Sequence, residues 1–297
     1  MDNRKIGFIG LGIMGKPMAI NLLKKGYKLI VYDLVSETVQ ELVKEGAEEG
    51  SSAADVGDRA EVIITMLPNS PEVKEVVLGG GGVLETAKPG SILIDMSSIA
   101  PLVSQEIAEK AAAKGVKVLD APVSGGEPKA VSGTLSIMVG GDESAFNSVK
   151  DILLTMGDSA ILVGDIGSGN VAKLANQVIV ALNIAAMSEA FVLATKVGVD
   201  PDKVYQAIRG GLAGSAVLDA KAPLVFKGDF KPGFRIKLHI KDLLNALQTA
   251  REVGVPMPLT SQIMETMQAL KVDGCEEDDH CGIIQFYEKM AQVKVRK

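Results

Sequence analysis

The chain has 297 residues, 47% of them apolar and 23% charged, which is typical of a protein that buries a core and favours about two domains. Its 31 Lys and Arg residues against 37 Asp and Glu give a formal charge of −6. This balance argues against nucleic-acid binding, because no excess of basic residues exists to displace counterions. Cys275 and Cys281 are the only cysteines, which excludes a disulfide framework, and the N-terminal apolar run is too short for a signal peptide. We therefore expect a cytoplasmic protein.

The first half of the chain alternates between short β-branched runs and stretches with helical spacing. The predicted strands are Ile6–Ile9, Leu29–Tyr32, Val62–Leu67, Ile92–Asp95, Val116–Leu119, Ile137–Val139 and Ile161–Val163. The predicted helices are Met14–Lys25, Ser36–Glu45, Pro71–Leu78, Pro101–Lys114 and Ser144–Met156. This alternation predicts an α/β fold with a mostly parallel sheet and crossover helices, and the continuous apolar strands predict helices on both faces.

After Gly169 the strand pattern ends and only helical patterns follow. The predicted helices are Val171–Val197, Pro201–Arg209, Ile236–Val253, Leu259–Leu270 and Gly282–Val293. The first is apolar nearly all round, which is typical of a helix surrounded by protein, and its polar residues argue against a membrane span. We predict one domain over residues 1–164 and an all-helical domain over residues 165–297.

The strongest motif is Gly10-Leu11-Gly12-Ile13-Met14-Gly15. It follows a predicted strand and opens a predicted helix, and the acidic Asp33 ends the next strand, which is the context of a dinucleotide-binding turn. Gly10 would allow a tight turn, Gly12 would allow close approach of a pyrophosphate, and Gly15 would allow the helix to pack on the strand. The alternative is an ordinary strand-to-helix turn.

Asp33 bears on the choice of dinucleotide. Its carboxylate can accept hydrogen bonds from an adenosine ribose, whereas a phosphate on that ribose would meet like charge. Leu34 and Val35 supply no arginine to neutralise such a phosphate. We therefore expect NAD or NADP as the cofactor, with NADH favoured, and the alternative for Asp33 is a solvated carboxylate at a strand end.

Few other reactive groups stand out in the sequence. His239 and His280 are the only histidines, and neither a G-x-S-x-G motif nor a paired Cys motif occurs. The segment from Cys275 to Cys281 resembles metal-ligand spacing, but no second ligand pair appears elsewhere. We interpret this segment as a solvated acidic loop and predict no metal site.

Lys173 and Asn176 lie near the start of the long predicted helix. They are three residues apart, so both point from the same face, and in a buried helix they would need polar partners. The alternative is a lysine on an exposed first turn. Lys241-Asp242, in a later predicted helix, indicates by itself a surface ion pair.

A Ser-Gly-Gly segment, Ser124-Gly125-Gly126, follows another predicted strand. Two glycines after a serine at a strand end can present backbone N–H groups suited to a carboxylate. In open α/β sheets ligands bind beyond the carboxyl ends of the strands. The alternative is an ordinary loop.

Taken together, these segments resemble the β-hydroxyacid dehydrogenase family over almost the full chain. The resemblance is carried by IGFIGLGIMGKPM, MLPNSPEV, IDMSSIAP, DAPVSGGEPKA, GSGNVAKLANQ and LHIKDL, in that order. It implies a Rossmann-type, doubly wound, mostly parallel sheet, joined by a long interdomain helix to an all-α C-terminal domain. That domain usually mediates dimers or tetramers, so a homodimer or homotetramer is expected.

The resemblance also implies roles for individual residues. Lys173 would be catalytic, and the substrate would be bound by Ser124, Gly125, Gly126 and Asn176. The cofactor would be bound by Gly10, Gly12, Ile13, Met14, Gly15, Asp33, Leu67, Pro68, Ser98 and Lys241.

The segments NQVIVALNIAAMSEA and AIRGGLAGS are most similar to family members that reduce 2-hydroxy-3-oxopropanoate (tartronate semialdehyde) to glycerate. The substrate is therefore expected to be a small hydroxy or semialdehyde acid. Alternatives within the family are oxidation of 3-hydroxyisobutyrate and reduction of glyoxylate or succinic semialdehyde. A non-catalytic nucleotide-binding protein is a further alternative, against which the presence of Lys173 and the Ser-Gly-Gly segment argues.

Overall fold

The computed structural model describes residues 4–296 and divides the chain into two compact units, Met1–Lys173 and Leu174–Lys297. Residues 1–3 and 297, at the outer ends of the two predicted domains, lie outside the described residues. The division falls within a 29-residue helix, and the predicted domain boundary after residue 164 stays a prediction.

Within the described residues, the first unit is built on one sheet of nine strands. These are β1 Lys5–Ile9, β2 Lys28–Tyr32, β3 Glu48–Glu49, β4 Val62–Thr65, β5 Ile92–Asp95, β6 Lys117–Asp120, β7 Val123–Ser124, β8 Leu135–Gly141 and β9 Gly157–Gly164. Their order is β3-β2-β1-β4-β5-β6-β8-β7, with β9 beside β8. The strands from β3 to β6 are parallel, β8 is antiparallel to β6 and β7, and β9 is parallel to β8. The predicted mostly parallel sheet is confirmed.

Helices cover both faces of this sheet. They are α1 Gly15–Lys25, α2 Ser36–Lys44, α3 Ala53–Arg59, α4 Ser70–Leu78, α5 Val83–Thr86, α6 Pro101–Ala112, α7 Gly126–Ser132 and α8 Glu143–Met156. Because strand residues alternate between faces, Ile64 and Ile94 join one core with α1 and α8. Ile63 and Leu93 join a second core with α4 and α6. The doubly wound arrangement follows from these two apolar faces.

The second unit is all-helical, as predicted. Its elements are the greater part of α9 Ser168–Lys196, then α10 Pro201–Ile208, α11 Ala216–Lys227, α12 Ile236–Glu252, α13 Pro258–Val272, the 3₁₀ helix His280–Ile283 and α14 Ile284–Ala291. Phe226 of α11 packs edge-on against Phe191 of α9, with ring centroids 5.1 Å apart, and against Tyr205 of α10 at 6.1 Å. This aromatic cluster lies within a hydrophobic core of the unit.

The long helix α9 differs in one respect from the expectation that protein surrounds it. It is long and apolar enough to cross a membrane, with a mean hydropathy of 1.9 over its most apolar 18 residues, of which 39% are buried. A core helix meets the same criterion, and the buried Asn170 and Gln177 of α9 form hydrogen bonds with other parts of the chain. Ile179 and Leu193 are 61% and 66% exposed, so one face of α9 is an uncovered apolar strip in the described chain.

Candidate active site

The predicted cofactor residues of the first unit follow the carboxyl ends of its parallel strands. Gly10 follows β1, Asp33 follows β2, Leu67 comes two residues after β4, and Ser98 comes three residues after β5. Backbone hydrogen bonds join neighbouring strands beyond these ends, for example from Gly10 N to Tyr32 O at 3.0 Å. Because the strands are parallel, these residues share one edge of the sheet, where ligands bind in folds of this type.

The Gly-rich turn has the backbone geometry that a bound diphosphate requires. Gly10 has φ +94°, and a Cβ there would lie 2.3 Å from the Met66 carbonyl oxygen. A Cβ on Gly15 would lie 1.9 Å from the Gly10 oxygen, whereas no described atom lies within 4 Å of the Cβ position of Gly12. Helix α1 starts without a side-chain cap from Met14; the N–H of Lys16 donates to Gly12 O at 3.1 Å, that of Met18 donates to Met14 O at 3.4 Å, and Pro17 has none.

Asp33 is held in place at the end of β2. Its carboxylate accepts hydrogen bonds from the backbone N–H of Leu11 at 2.6 Å and of Val35 at 2.8 Å. The negative charge is thereby fixed beside the Gly-rich turn. Ile13, which belongs to that turn, is 57% exposed.

The loops after β4 and β5 are joined by a buried hydrogen-bond network. The Thr65 hydroxyl donates to Asp95 Oδ1 at 2.9 Å, Ser97 N donates to the same atom at 3.2 Å, and Leu67 N donates to Ser97 Oγ at 2.9 Å. The network fixes the backbone at Leu67 and next to Ser98. Pro68 is exposed and Ser98 is half-buried.

Asp95 is an unusual carboxyl, because it is buried beside a second one. Asp95 and Asp120 are register partners at the ends of β5 and β6. Burial raises the pKa of Asp95 to about 6, Asp120 acts in the same direction, and the hydrogen bonds of Ser97 and Thr65 oppose the shift. Asp95 Oδ2 is buried without a hydrogen-bond partner among the described residues.

The Ser-Gly-Gly segment lies where β7 meets α7. Ser124 ends β7 opposite Ser136 of β8, and Gly125 and Gly126 have φ +137° and +68°. A Cβ on Gly125 would lie 2.5 Å from Lys129 Cδ. Two successive positive φ angles turn the chain directly from strand into helix, so neither residue belongs to an extended loop.

The N-terminus of α9 is bound to the carboxyl end of β6. The buried Asp120 carboxylate accepts a hydrogen bond from Gly167 N and one from Asn170 N, both at 2.7 Å. Asn170 in turn accepts from Ile99 N at 3.0 Å and donates to Ser104 Oγ at 3.1 Å. Burial raises the pKa of Asp120, while the N–H groups of Asn170 and Gly167 act against that shift.

Lys173 follows Asn170 by one turn of α9 and is only 6% exposed. The alternative of a lysine on an exposed first turn is therefore wrong. Through Asn170 and Asp120, the turn that carries Lys173 is tied to the same sheet edge as the predicted cofactor residues.

In the second unit, Asn176 and Lys241 are linked through Gln177 and Asp242. Asn176 Nδ2 donates to Gln177 Oε1 at 2.8 Å, and Gln177 Nε2 donates to Asp242 Oδ2 at 2.6 Å. Lys241 Nζ lies 3.0 Å from Asp242 Oδ1. Asp242 is 2% exposed, so Lys241-Asp242 is not the surface ion pair that its sequence indicates.

The acidic segment before Cys281 is the expected solvated loop only in part, because Glu277 is exposed whereas Asp279 is buried. Asp279 is fully buried and accepts hydrogen bonds from Lys221 Nζ at 2.8 Å and from the backbone N–H groups of Gly233, Phe234 and Cys281, each at 3.0 Å. Within residues 4–296 no set of three or more His, Cys, Asp or Glu side chains is placed to hold a metal ion.

Sequence patterns did not assign roles to several of these polar residues, namely Asp95, Ser97, Asp120, Asn170, Gln177 and Asp242. Their partners are distant in sequence, as with Asp120 and Asn170, which are 50 residues apart. One signal was available: Asp95 and Asp120 both end apolar runs that predict buried strands, where a carboxylate needs partners.

Comparison with known proteins agrees with this architecture. Residues 5–164 match the family described as the NAD binding domain of 6-phosphogluconate dehydrogenase. Residues 167–287 match the family described as NAD-binding of NADP-dependent 3-hydroxyisobutyrate dehydrogenase. The two matches together cover most of the chain.

Three individual proteins are similar over nearly the whole chain. The 2-hydroxy-3-oxopropionate reductase of Escherichia coli is 43% identical, covering 98% of this chain and 99% of its own. The 2-(hydroxymethyl)glutarate dehydrogenase of Eubacterium barkeri is 39% identical, covering 98% and 97%. The structure of Mycobacterium tuberculosis 3-hydroxyisobutyrate dehydrogenase with L-serine has a TM-score of 0.91 and 32% identity, covering 96% and 99%.

Proposed function

The chain belongs to the β-hydroxyacid dehydrogenase family of NAD(P)-binding oxidoreductases, and we propose that it reduces 2-hydroxy-3-oxopropanoate to glycerate. The observation that carries the proposal is the buried Lys173 on a helix turn tied to the carboxyl end of β6. The 43% identity to a 2-hydroxy-3-oxopropionate reductase supports the choice of substrate.

The residues of the first unit fit a nicotinamide dinucleotide. The open side of Gly12, just before α1, would accept its diphosphate, and Asp33 would bind the adenosine ribose. Ile13, Met14, Leu67, Pro68 and Ser98, with Lys241 of the second unit, are proposed as further contacts. When bound, the dinucleotide supplies or accepts the hydride.

The proposed chemistry of the protein itself is proton transfer and charge stabilisation. Ser124, Gly125 and Gly126 would hold the substrate carboxylate, and Asn176 would add a hydrogen bond. The Lys173 ammonium would donate a proton to the aldehyde oxygen, where negative charge develops during reduction. In the reverse direction, Lys173 would take the proton from the hydroxyl group.

Turnover of a panel of small semialdehydes, followed by nicotinamide absorbance, tests this proposal. We expect the highest kcat/KM with 2-hydroxy-3-oxopropanoate, and NADH favoured over NADPH. Lys173→Ala should lower kcat by roughly 10²–10⁴-fold while NADH binding persists, because only the proton donor is removed. Near-normal turnover by this variant would contradict the role of Lys173.

A second candidate reaction is the oxidation of 3-hydroxyisobutyrate. It is favoured by the similarity to the M. tuberculosis 3-hydroxyisobutyrate dehydrogenase, with a TM-score of 0.91. The same panel, extended to 3-hydroxyisobutyrate, glyoxylate and succinic semialdehyde, distinguishes the candidates by their kcat/KM values. Higher kcat/KM with any of these than with 2-hydroxy-3-oxopropanoate would overturn our assignment of the substrate.

We also propose that the chain forms a homodimer or homotetramer through its helical unit. The exposed apolar strip on α9, which includes Ile179 and Leu193, supports this proposal because a second copy could cover it. A cytoplasmic location is proposed as well, in keeping with the two free cysteines, Cys275 and Cys281.

A further inference from the structure

The two histidines of the chain form a buried pair in the second unit, which the proposed proton transfer does not use. His239 of α12 is fully buried and His280, which begins the 3₁₀ helix, is 6% exposed. Their Nδ1 atoms are 3.0 Å apart. Phe234 packs edge-on against both rings, with centroid distances of 5.6 and 5.3 Å. The hydrogen bond between the two rings is therefore shielded from water.

The neighbours of the pair determine where its protons lie. His239 Nε2 is 3.0 Å from the backbone oxygen of Gln177, and because a carbonyl only accepts, Nε2 carries the hydrogen. The Nδ1 atom of a neutral His239 is then an acceptor. The facing Nδ1 of His280 must consequently be the donor. When His239 is neutral, only this order of protons satisfies both contacts.

The segment that presents His280 is itself fixed. The neighbouring Asp279 carboxylate binds Lys221 and three backbone N–H groups, and Asp279 Oδ1 lies 4.0 Å from His280 Nε2. The Arg235 backbone, just before α12, also pairs with Asp279. Both histidines are thus held on backbone that cannot shift without breaking buried hydrogen bonds.

Gln177 links the histidine pair to the predicted binding residues through hydrogen bonds. Its backbone oxygen accepts from His239, while its side chain accepts from Asn176 and donates to Asp242. Asp242 pairs in turn with Lys241. A displacement of Gln177 would change both Asn176, proposed for substrate, and the partner of Lys241, proposed for the cofactor.

We propose that His239 and His280 are positioning residues, whose fixed proton order holds Gln177 so that its side chain orients Asn176 and the Asp242–Lys241 pair. The inference rests on the proposed function for the roles of Asn176 and Lys241. An apolar pair of equal size would fill the same space, but it would give no directional contact to the Gln177 carbonyl. Buried hydrogen bonds of this kind are directional and therefore restrict the orientation of the side chains that they join.

The proton order is tested by NMR on protein labelled with ¹⁵N only in histidine. Because the chain has two histidines, four ring-nitrogen signals are expected, and their couplings to ring protons identify each tautomer. We expect His239 to carry its hydrogen on Nε2 and His280 to carry one on Nδ1. A hydrogen on His239 Nδ1 would overturn the proposal, whatever the activity of the enzyme.

The positioning role is tested by paired variants. In His239→Gln the side-chain amide nitrogen takes the place of Nε2 and keeps a donor for the Gln177 carbonyl, whereas His239→Leu has none. For His239→Leu we expect KM for the semialdehyde and for NADH to rise by roughly 10-fold or more, with a smaller change in kcat, as for loss of a buried hydrogen bond. His239→Gln should restore most of this loss.

A matched control separates positioning from loss of stability. Phe226→Leu weakens the aromatic cluster with Phe191 and Tyr205 in the same unit and should lower Tm without raising KM. Unchanged KM in His239→Leu, or an equal rise in Phe226→Leu, would overturn the positioning role. Similarly, His280→Asn should retain the donor at the Nδ1 position and His280→Leu should not.

One readout does not depend on turnover. The side-chain amide signals of Asn176 and Gln177, assigned with Asn176→Asp and Gln177→Glu, should shift in His239→Leu and stay in place in His239→Gln. If no semialdehyde is turned over, the proposed function fails while these signals still test the positioning network. Unchanged amide signals in His239→Leu would overturn the network itself.

Discussion

The Asp33 carboxylate accepts N–H groups from Leu11 and Val35, which fixes a negative charge at the end of β2. We expect Asp33→Asn to lower kcat/KM for NADH by roughly 10-fold and to raise relative use of NADPH, because hydrogen bonds to a charged group are lost and repulsion of a ribose phosphate is removed. Parallel kinetics with both dinucleotides measure this ratio. Wild-type preference for NADPH would contradict the role given to Asp33.

Asp95 makes the stability of the protein depend on pH. Its pKa is raised by burial from 3.8 to about 6, so the folded chain holds the proton more tightly than the unfolded chain. The resulting stabilisation is full below about pH 4 and is lost as the pH rises through about 6, a difference of about 3 kcal/mol. Urea unfolding of the wild-type protein and of Asp95→Asn, from about pH 4 to 7, measures this pH-dependent stabilisation. A constant difference in unfolding free energy between the two proteins would contradict it.

Individual residues could be predicted where their chemistry depends on local spacing. The arrangement of one strand-to-helix turn follows from the sequence, because its residues Gly10, Gly12 and Gly15 stand at fixed intervals. Asp33, at the end of the next strand, completes the same pattern. Asp95, Asp120 and Gln177 could not be assigned roles in this way, because their partners are brought close only by strand order and helix packing.

At the level of elements, the Asp120 carboxylate acts as a cap that belongs to a different element from the helix it caps. It accepts the N–H groups of Gly167 and Asn170 at the start of α9, from the end of β6. An asparagine in place of Asp120 could accept a hydrogen bond at only one atom. Its NH₂ group would then face the other of the two backbone N–H donors.

Asp120→Asn should therefore disturb the turn that carries Lys173. We expect unfolding free energy to fall by about 1–3 kcal/mol and kcat to fall by roughly 10-fold, with NADH binding retained because the Gly-rich turn is untouched. Urea unfolding and steady-state kinetics measure the two effects. The exposed Asp151→Asn on α8 serves as control, and kcat equal to wild type in Asp120→Asn would contradict this role of the cap.

Most elements could be predicted from periodicity, but helices lacking a clear apolar stripe could not. Helix α7 starts within the Ser-Gly-Gly segment, and α11 contains Pro223, a residue that predicts a helix end. The two-residue strands β3 and β7 are too short to show alternation. The pattern over Gly282–Val293 proved to be a 3₁₀ turn followed by α14, whose C-cap is Gln292.

For the whole molecule, the apolar strip on α9 leads to a prediction about assembly. The strip, defined by Ala175, Ile179, Ala186, Ala190 and Leu193, lies on one side of the helix, with Glu189 as its exposed charged neighbour. Covering such a strip with a second copy would remove its apolar area from water.

We expect wild-type protein to sediment as a dimer or tetramer of the 31.1 kDa chain. The double variant Ile179→Glu, Leu193→Glu should sediment as a single chain, because charge would then face the strip of a second copy. Val272→Glu, at another exposed apolar position, is the control and should leave the mass unchanged. Sedimentation of the double variant at the wild-type mass would contradict this interface.

Because α9 runs without interruption from Ser168 to Lys196, the helix that carries Lys173, the proposed proton donor, is complete only when the polypeptide has been made as far as Lys196. A nascent chain that has emerged only as far as Lys173 would end in a frayed terminus, since the final turn of a helix is its least ordered part. During synthesis, therefore, we expect a fragment that ends at Lys173 to lack activity, even when its Gly-rich turn is already folded. Splitting the gene at this point should also yield two fragments, neither of which holds the proposed proton donor on a complete helix.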